Sequence, residues 1–427
     1  MLYRADRHEV ATVDGRETAP AAVTPELFLR PDGKPLPFYP DRITGGRAVG
    51  VPGLLRLLAL ALERYGTRSL ADTLAPAIRL AEQGFPVSAR LAAALHGQRE
   101  RLARFPATRA VFFDARGEPL AQGARLRQPA LARSFREIAA HGPDVFYRGP
   151  IGAALVAAVR DSPVAPGAMT AADLAGYEAK IRPPVHIRYR GYDLYGMGPP
   201  SSGATTVFQM LQLLETQPVA PDGPLSAPAV HRFVQAARLA YADRARYLGD
   251  ADFVPVPTIG LLEPAYVASR AAALEWNAPL APVQAGTPPG ANGGGIPAGR
   301  DTESRSTTHL SIADAQGNLV AMTNTIEQGF GSGIVVPGWG FLLNNELTDF
   351  EAVPRDEAGA PAANALAPGK RPRSSMAPTL VLREGRPVLV LGSPGGSRII
   401  QFVAAVLVRV LDYGQSLQEA IEAPHHT

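Results

Sequence analysis

The chain has 427 residues, 46% of them hydrophobic and 19% charged, and a formal net charge of +3. A chain of this length buries a large core, and a charge this near neutral argues against nucleic acid or a membrane surface as a partner. It has no cysteine, which excludes disulfides, thiolate nucleophiles and Cys-ligated metals but leaves the compartment open. No apolar run approaches the ~20 residues of a membrane-spanning helix. Met1-Leu2-Tyr3-Arg4 enters strand-like sequence with no signal-peptide pattern.

In chain order, residues 1–15 read as two short strands about Ala5-Asp6-Arg7. From 20 to 47 the density of Pro and Gly marks a long surface loop. Helical periodicity follows: Leu54–Leu62 closed by Tyr65-Gly66, Leu70–Glu82 ended by Gly84, then Arg90–Arg104, Pro129–Ala140 and Ile151–Val159. Thr170-Ala171-Ala172-Asp173 resembles a helix N-cap, Val185–Tyr195 is a strand pair about Arg190-Gly191, and Ala229–Leu248 is a long helix. The run 287–297, rich in Pro and Gly, packs poorly. After it, residues 308–313 and 319–325 alternate or carry β-formers on either side of Asp314-Ala315-Gln316-Gly317-Asn318, a hairpin pattern. Phe330–Val335, Gly340–Leu343, Thr379–Leu382 and Val388–Leu391 read as strands, and Ile399–Leu411 as an apolar helix after a Gly-rich turn.

Two features carry chemistry. A loose linker running into a strand headed by Ser306-Thr307-Thr308-His309 points to a cut before Thr307. The new α-amine, with a pKa of roughly 7.7–8.0, would be a base beside the residue's own hydroxyl. A Thr-Thr pair opening a strand is also an ordinary β-former, so pattern alone leaves both readings open. Gly392-Ser393-Pro394-Gly395-Gly396-Ser397 before a helix is rich in backbone donors and suits an oxyanion or a phosphate. It lacks the Gly-Lys-Ser/Thr ending of a nucleotide-binding loop. The eight histidines show no metal-ligand spacing.

The run STTHLSIADAQGNLVAMTNTIEQGFGSGIVVPGWGFLLNNELTDF (306–350) resembles the small-subunit start of the γ-glutamyltranspeptidases, which are N-terminal-nucleophile hydrolases. KRPRSSMAPT (370–379), GSPGGSRII (392–400), AYADRARYLGD (240–250), PPSSG (199–203) and DGRETAP (14–20) match in the family's order across nearly the whole chain. The resemblance implies an αββα sandwich, helix-rich first and strand-rich last. It also implies a precursor cut at Ser306–Thr307 into pieces 1–306 and 307–427 that stay interleaved in one structural domain. Thr307 would be the nucleophile, Thr325 would orient it, and Gly395 and Gly396 would hold the oxyanion. Arg16, Ser374 and Ser375 match positions that hold the donor's α-carboxylate, and Glu346 and Asp349 those that hold its α-ammonium. Where many members have Asn, this chain has Glu327. Its IEQ form resembles the Bacillus-type branch and reads as an added ammonium contact.

The reaction implied is transfer of a γ-glutamyl group from glutathione and related compounds to water, an amino acid or a peptide, without cofactor or metal. The resemblance implies a periplasmic or extracellular enzyme. The loop Glu351–Gly369 lacks the gating aromatic of some members, which favours an open cleft. Family members extend further at both ends, so the chain is expected to be truncated there, with exposed sheet edges. The competing readings are a cephalosporin- or glutaryl-type acylase on the same scaffold, and an inactive, unprocessed fragment.

Overall fold

The computed structural model describes residues 1–274, 276, 278, 282–291, 306–355 and 359–426. Much of the Gly-rich run (292–297) lies outside the described residues, as does 356–358 of the loop after Phe350. Two antiparallel sheets face each other. The first has the order β3-β2-β1-β7-β6, with β1 Leu2–Arg4, β2 Glu9–Asp14, β3 Lys180–Arg182, β6 Thr308–Ala313 and β7 Leu319–Asn324. The second has the order β9-β8-β5-β4, with β4 Val185–Tyr189, β5 Tyr192–Gly196, β8 Thr379–Arg383 and β9 Arg386–Leu391. Each sheet therefore combines strands from before residue 200 with strands from after residue 307.

Burial follows the two-residue period of the strands. Tyr3, Leu319 and Ala321 point from the first sheet at Leu380 and Leu382 of the second, forming the inner core. The other face of the second sheet is covered by α2 Gly203–Glu215 and α4 Ile399–Leu411, with α3 Ala227–Tyr247 packed behind. Helix α1, Leu54–Tyr65, lies over the outer face of the first sheet. Its leucines leave a cavity of about 390 Å³ beneath it, floored by Leu2, Val13, Val320 and Met322. The layers thus run helix, sheet, sheet, helix, and the fold is the αββα sandwich. A separate helical lobe, built from Leu70–Gln83, Pro129–His141 and Pro150–Arg160 among others, packs against residues 334–343.

Most local expectations hold for a visible reason. Thr170 caps its helix by accepting the Asp173 N–H at 3.3 Å, and Asp173 returns a bond to the Thr170 N–H at 2.7 Å, a capping box. Two expectations need correction, and one element was not anticipated. Arg90–Arg104 is broken at Gln98 into Ala89–Gly97 and Arg99–Leu102. Phe330–Val335 and Gly340–Leu343 form no strands; they meet through an isolated bridge, Val335 to Leu342, and backbone hydrogen bonds of Leu343 with Ser332 and Ile334. Left-handed glycines at 331, 333, 338 and 340 turn that segment too often for a ladder. Finally, α2 gives no amphipathic signal, because it is buried on nearly all sides.

Phe208 of α2 is wholly buried in that core. Phe208→Ala is expected to cost about 3–5 kcal/mol of folding stability. Chemical denaturation monitored by circular dichroism checks this.

Candidate active site

The hairpin sets the centre of the site. Asp314 accepts the N–H groups of Gln316 at 2.9 Å and Asn318 at 2.8 Å, and Gly317 supplies a φ of +87°. That turn fixes the register Thr308↔Asn324. The next pair outward, Thr307 and Thr325, is therefore held side by side, with hydroxyls 3.5 Å apart. Thr325 Oγ1 donates to the Ser306 carbonyl at 2.8 Å and accepts the Glu327 N–H at 2.9 Å. A hydroxyl has one proton and two lone pairs. With the Thr307 hydroxyl on the remaining lone pair, Thr325 uses all three. Its proton polarises the carbonyl of the bond before Thr307.

Arg16, Thr307, Thr325, Glu327, Glu346, Asp349, Ser374, Ser375 and Gly396 line one small pocket, with Met376 and Ile399. Among the expected site residues, Ser306 and Gly395 adjoin this lining by sequence. Arg16 forms ion pairs with both Glu346 and Asp349. Its Nε also donates to the Pro372 carbonyl at 3.2 Å and its Nη2 to that of Arg373 at 3.2 Å. Burial works against the charge on Arg16. Glu346, Asp349 and Glu17 outweigh it and raise its pKa, so the guanidinium stays protonated. Without a ligand, Arg16, expected to hold a carboxylate, is paired with Glu346 and Asp349, expected to hold an ammonium.

Ser374 and Ser375 are fixed from beneath. Ser202 donates its N–H and its hydroxyl to the Ser374 carbonyl, each at 2.7 Å. Arg244 donates through Nε to the Ser202 hydroxyl at 2.9 Å and through Nη2 to that of Ser375 at 2.6 Å. On the remaining side, Gly395 (φ +143°) and Gly396 (φ +59°) open a 3-10 turn that runs into α4. The turn starts against the hairpin: a Cβ on Gly392 would lie 2.3 Å from the His309 ring, so only glycine fits. His309 bonds Thr323 at 2.8 Å and Ser311 at 3.0 Å, and burial holds its pKa down at about 4. It is a neutral spacer at physiological pH.

Glu327 takes a left-handed backbone, φ +72°, which is unusual for a residue with a side chain. Asn345 Nδ2 donates to its carboxylate. The cavity under α1 reaches this site and shares Arg16, Thr325, Ser374 and Met376 with it. Sequence reasoning gave no role to Glu17, Ser202, Arg244, Asn345 or Met376. All five sit inside the matched motifs DGRETAP, PPSSG, AYADRARYLGD, KRPRSSMAPT and the run 306–350, and that was their only signal. Among the described residues, no group of three or more His, Cys, Asp or Glu is placed to hold a metal ion. No described helix is long and apolar enough to cross a membrane.

Glu17 yields a pH test. Burial pushes its pKa from the ordinary 4.5 up to about 7, against the pull of Arg16. Between those values the unfolded chain has released this proton while the folded chain keeps it, so this group's contribution to stability falls as pH rises. Glu17→Gln lacks that component. Its stability relative to wild type is expected to grow from about pH 4.5 to about pH 7 and then level off, as read by denaturant titrations at each pH.

A family model described as Gamma-glutamyltranspeptidase matches residues 1–427. The glutathione hydrolase proenzyme of Bacillus subtilis (strain 168) is 40% identical over 429 residues, covering 99% of this chain and 71% of that protein. That of Escherichia coli (strain K12) is 40% identical over 440 residues, covering 100% and 72%. A solved structure, the cephalosporin acylase from Bacillus halodurans, superposes with a TM-score of 0.82 at 26% identity, covering 99% of this chain and 73% of its own. With the family model matched from end to end, this chain belongs to the γ-glutamyltranspeptidase family.

Proposed function

We propose that this chain is a γ-glutamyl hydrolase and transpeptidase that cleaves itself between Ser306 and Thr307. It then takes the γ-glutamyl group from glutathione and related compounds. In the first reaction Thr307 Oγ1 attacks the Ser306 carbonyl, whose oxygen accepts the Thr325 proton. The acyl group moves from nitrogen to oxygen, and water hydrolyses the ester, leaving a Ser306 carboxylate and a free Thr307 amine. That amine takes the proton of its own hydroxyl as Oγ1 attacks the γ-carbonyl of the donor. The oxyanion is received by the Gly395–Gly396 amides, the donor's amine takes the proton from the Thr307 ammonium and departs as the C–N bond breaks, and water or an acceptor amine releases the ester. Pieces 1–306 and 307–427 remain joined because β1 pairs with β7 inside one sheet. Both act on the γ-glutamyl group outside the cytoplasm, in keeping with the family resemblance.

The observation that carries the donor assignment is the pairing of Arg16 with both Glu346 and Asp349 in the pocket of Thr307. Three carboxylates, Glu327, Glu346 and Asp349, against the one guanidinium of Arg16 leave the pocket with negative charge in excess. A γ-glutamyl head group adds one charge of each sign and finds a partner for both. A glutaryl head adds only a carboxylate and deepens the excess. The likeness to a cephalosporin acylase keeps the acylase as the second reading.

Intact-mass analysis is expected to find a piece beginning at Thr307, and Thr307→Ala to remain one chain. A wild-type chain that stays whole yet hydrolyses γ-glutamyl anilides would sink the maturation step. Thr325→Val keeps the shape but not the proton, and is expected to slow self-cleavage by about 10²–10³-fold. For the donor, Asp349→Ala is expected to lower kcat/KM on γ-glutamyl-p-nitroanilide about 30- to several-thousand-fold. On glutaryl-p-nitroanilide it should cost little, and equal losses on both would favour the acylase.

A further inference from the structure

The two halves of the donor pocket come from segments far apart in sequence: Glu346 to Asp349, and Ser374 with Ser375 after Arg373. One buried side chain ties them together. Asn364, 2% exposed, donates through Nδ2 to the Asp349 carbonyl at 2.6 Å. Its Oδ1 accepts the Arg373 N–H at 2.8 Å. Arg16 closes the circuit from the other side, pairing with the Asp349 carboxylate and donating to the Arg373 carbonyl at 3.2 Å. The four residues form a ring in which Arg16 and Asp349 are the members assigned to substrate, and Asn364 and Arg373 are assigned no contact with it.

Asn364 is itself presented by a buried lysine. Lys370 Nζ donates to the Ala363 carbonyl at 2.8 Å and the Ala365 carbonyl at 3.0 Å, one on each side of Asn364. The Asn364 carbonyl accepts the Glu351 N–H at 3.1 Å, which joins the two ends of the intervening loop.

We propose that Asn364, held by Lys370, is a positioning residue that sets the spacing between the ammonium-binding carboxylates and the carboxylate-binding serines. It selects donors that carry both charges. This rests on the γ-glutamyl reading above. A head group with both an ammonium and a carboxylate must span the two segments, and it is penalised when they drift apart. A head group with a carboxylate alone engages only the Arg16 and serine side, and tolerates the drift.

The test uses the matured enzyme with Asn364→Ala, Asn364→Asp and Lys370→Met. The readouts are self-cleavage, kcat and KM for γ-glutamyl-p-nitroanilide, and competitive inhibition by L-glutamate and by glutarate. Self-cleavage is expected to proceed as in wild type, because Thr307 and Thr325 lie outside the ring. In Asn364→Ala, KM for the anilide and Ki for L-glutamate are expected to rise about tenfold, the scale of one net hydrogen bond. Both kcat and Ki for glutarate should change little. Asn364→Asp keeps the acceptor but sets a carboxylate against the Asp349 carbonyl. Its deficit is expected to shrink as pH is lowered and the acid becomes a donor again, a recovery that a purely structural loss would not show. Lys370→Met gives the same selectivity loss, smaller, and serves if Asn364→Ala does not mature. If wild type does not prefer L-glutamate to glutarate, the donor reading itself fails. If wild type has the preference and the variants keep it, or lose both inhibitors equally, the inference about Asn364 is overturned.

Discussion

The site depends on one guanidinium held between two carboxylates out of water. The side chains of Arg16 and Glu346 are 4% and 0% exposed, so neither ion can be stripped of its partner cheaply. Breaking such a pair by removing one member typically costs about 3–5 kcal/mol, because the survivor stays buried and charged. The fold therefore holds Arg16 by its backbone as well. Its N–H donates to Asp14 at 2.8 Å, and its carbonyl accepts from Tyr177 at 2.8 Å and Arg371 at 3.2 Å. Asp14 is anchored in turn by Arg182 at 2.8 Å, one sheet position away on β3. The edge of the first sheet thus supports the residue proposed to recognise the donor.

The residues proposed for recognition and for chemistry are joined by geometry and by one direct bond, from the Glu327 N–H to Thr325 Oγ1 at 2.9 Å. The β6–β7 register presents Thr307 and Thr325 at the open end of the hairpin, and the glycine turn before α4 closes over them from the second sheet. His309 and Gly392 form the seam between these elements. The nucleophile and the proposed oxyanion donors therefore ride on different sheets, and their separation follows from how the sheets pack. This gives the αββα sandwich a function beyond stability: its inner core sets the width of the reaction site.

Much of the fold was legible because its signals are local. The hairpin announced itself through Asp314 and Gly317, and the long helices through their apolar stripes and caps. Helix α2 was silent, since a helix buried all round has no polar face to betray its period. Residues 330–343 misled because their Val and Ile content is that of a strand, while their left-handed glycines enforce turns. In the site, pattern alone left Thr307 and the glycine turn open to more than one reading, and their roles, like those of Arg16, Glu346, Asp349, Ser374 and Ser375, came from resemblance to a family. The supporting bonds of Arg244 to Ser202 and Ser375 span 42 and 131 residues, and no periodicity records a pairing of that range. Only folding reveals them.

The saturated hydroxyl of Thr325 has a consequence for order in time. In the uncut chain its single proton is committed to the Ser306 carbonyl, so it cannot also serve the Thr307 oxygen. Under the proposed self-cleavage, cutting the bond would free that carbonyl to move away, and the proton would become available at the same moment as the amine. One event would release both the base and its helper. On that reading the protein would carry an interlock: before acting on itself it would lack two parts of the apparatus for acting on anything else, and no separate inhibitor would be needed to keep it silent until then.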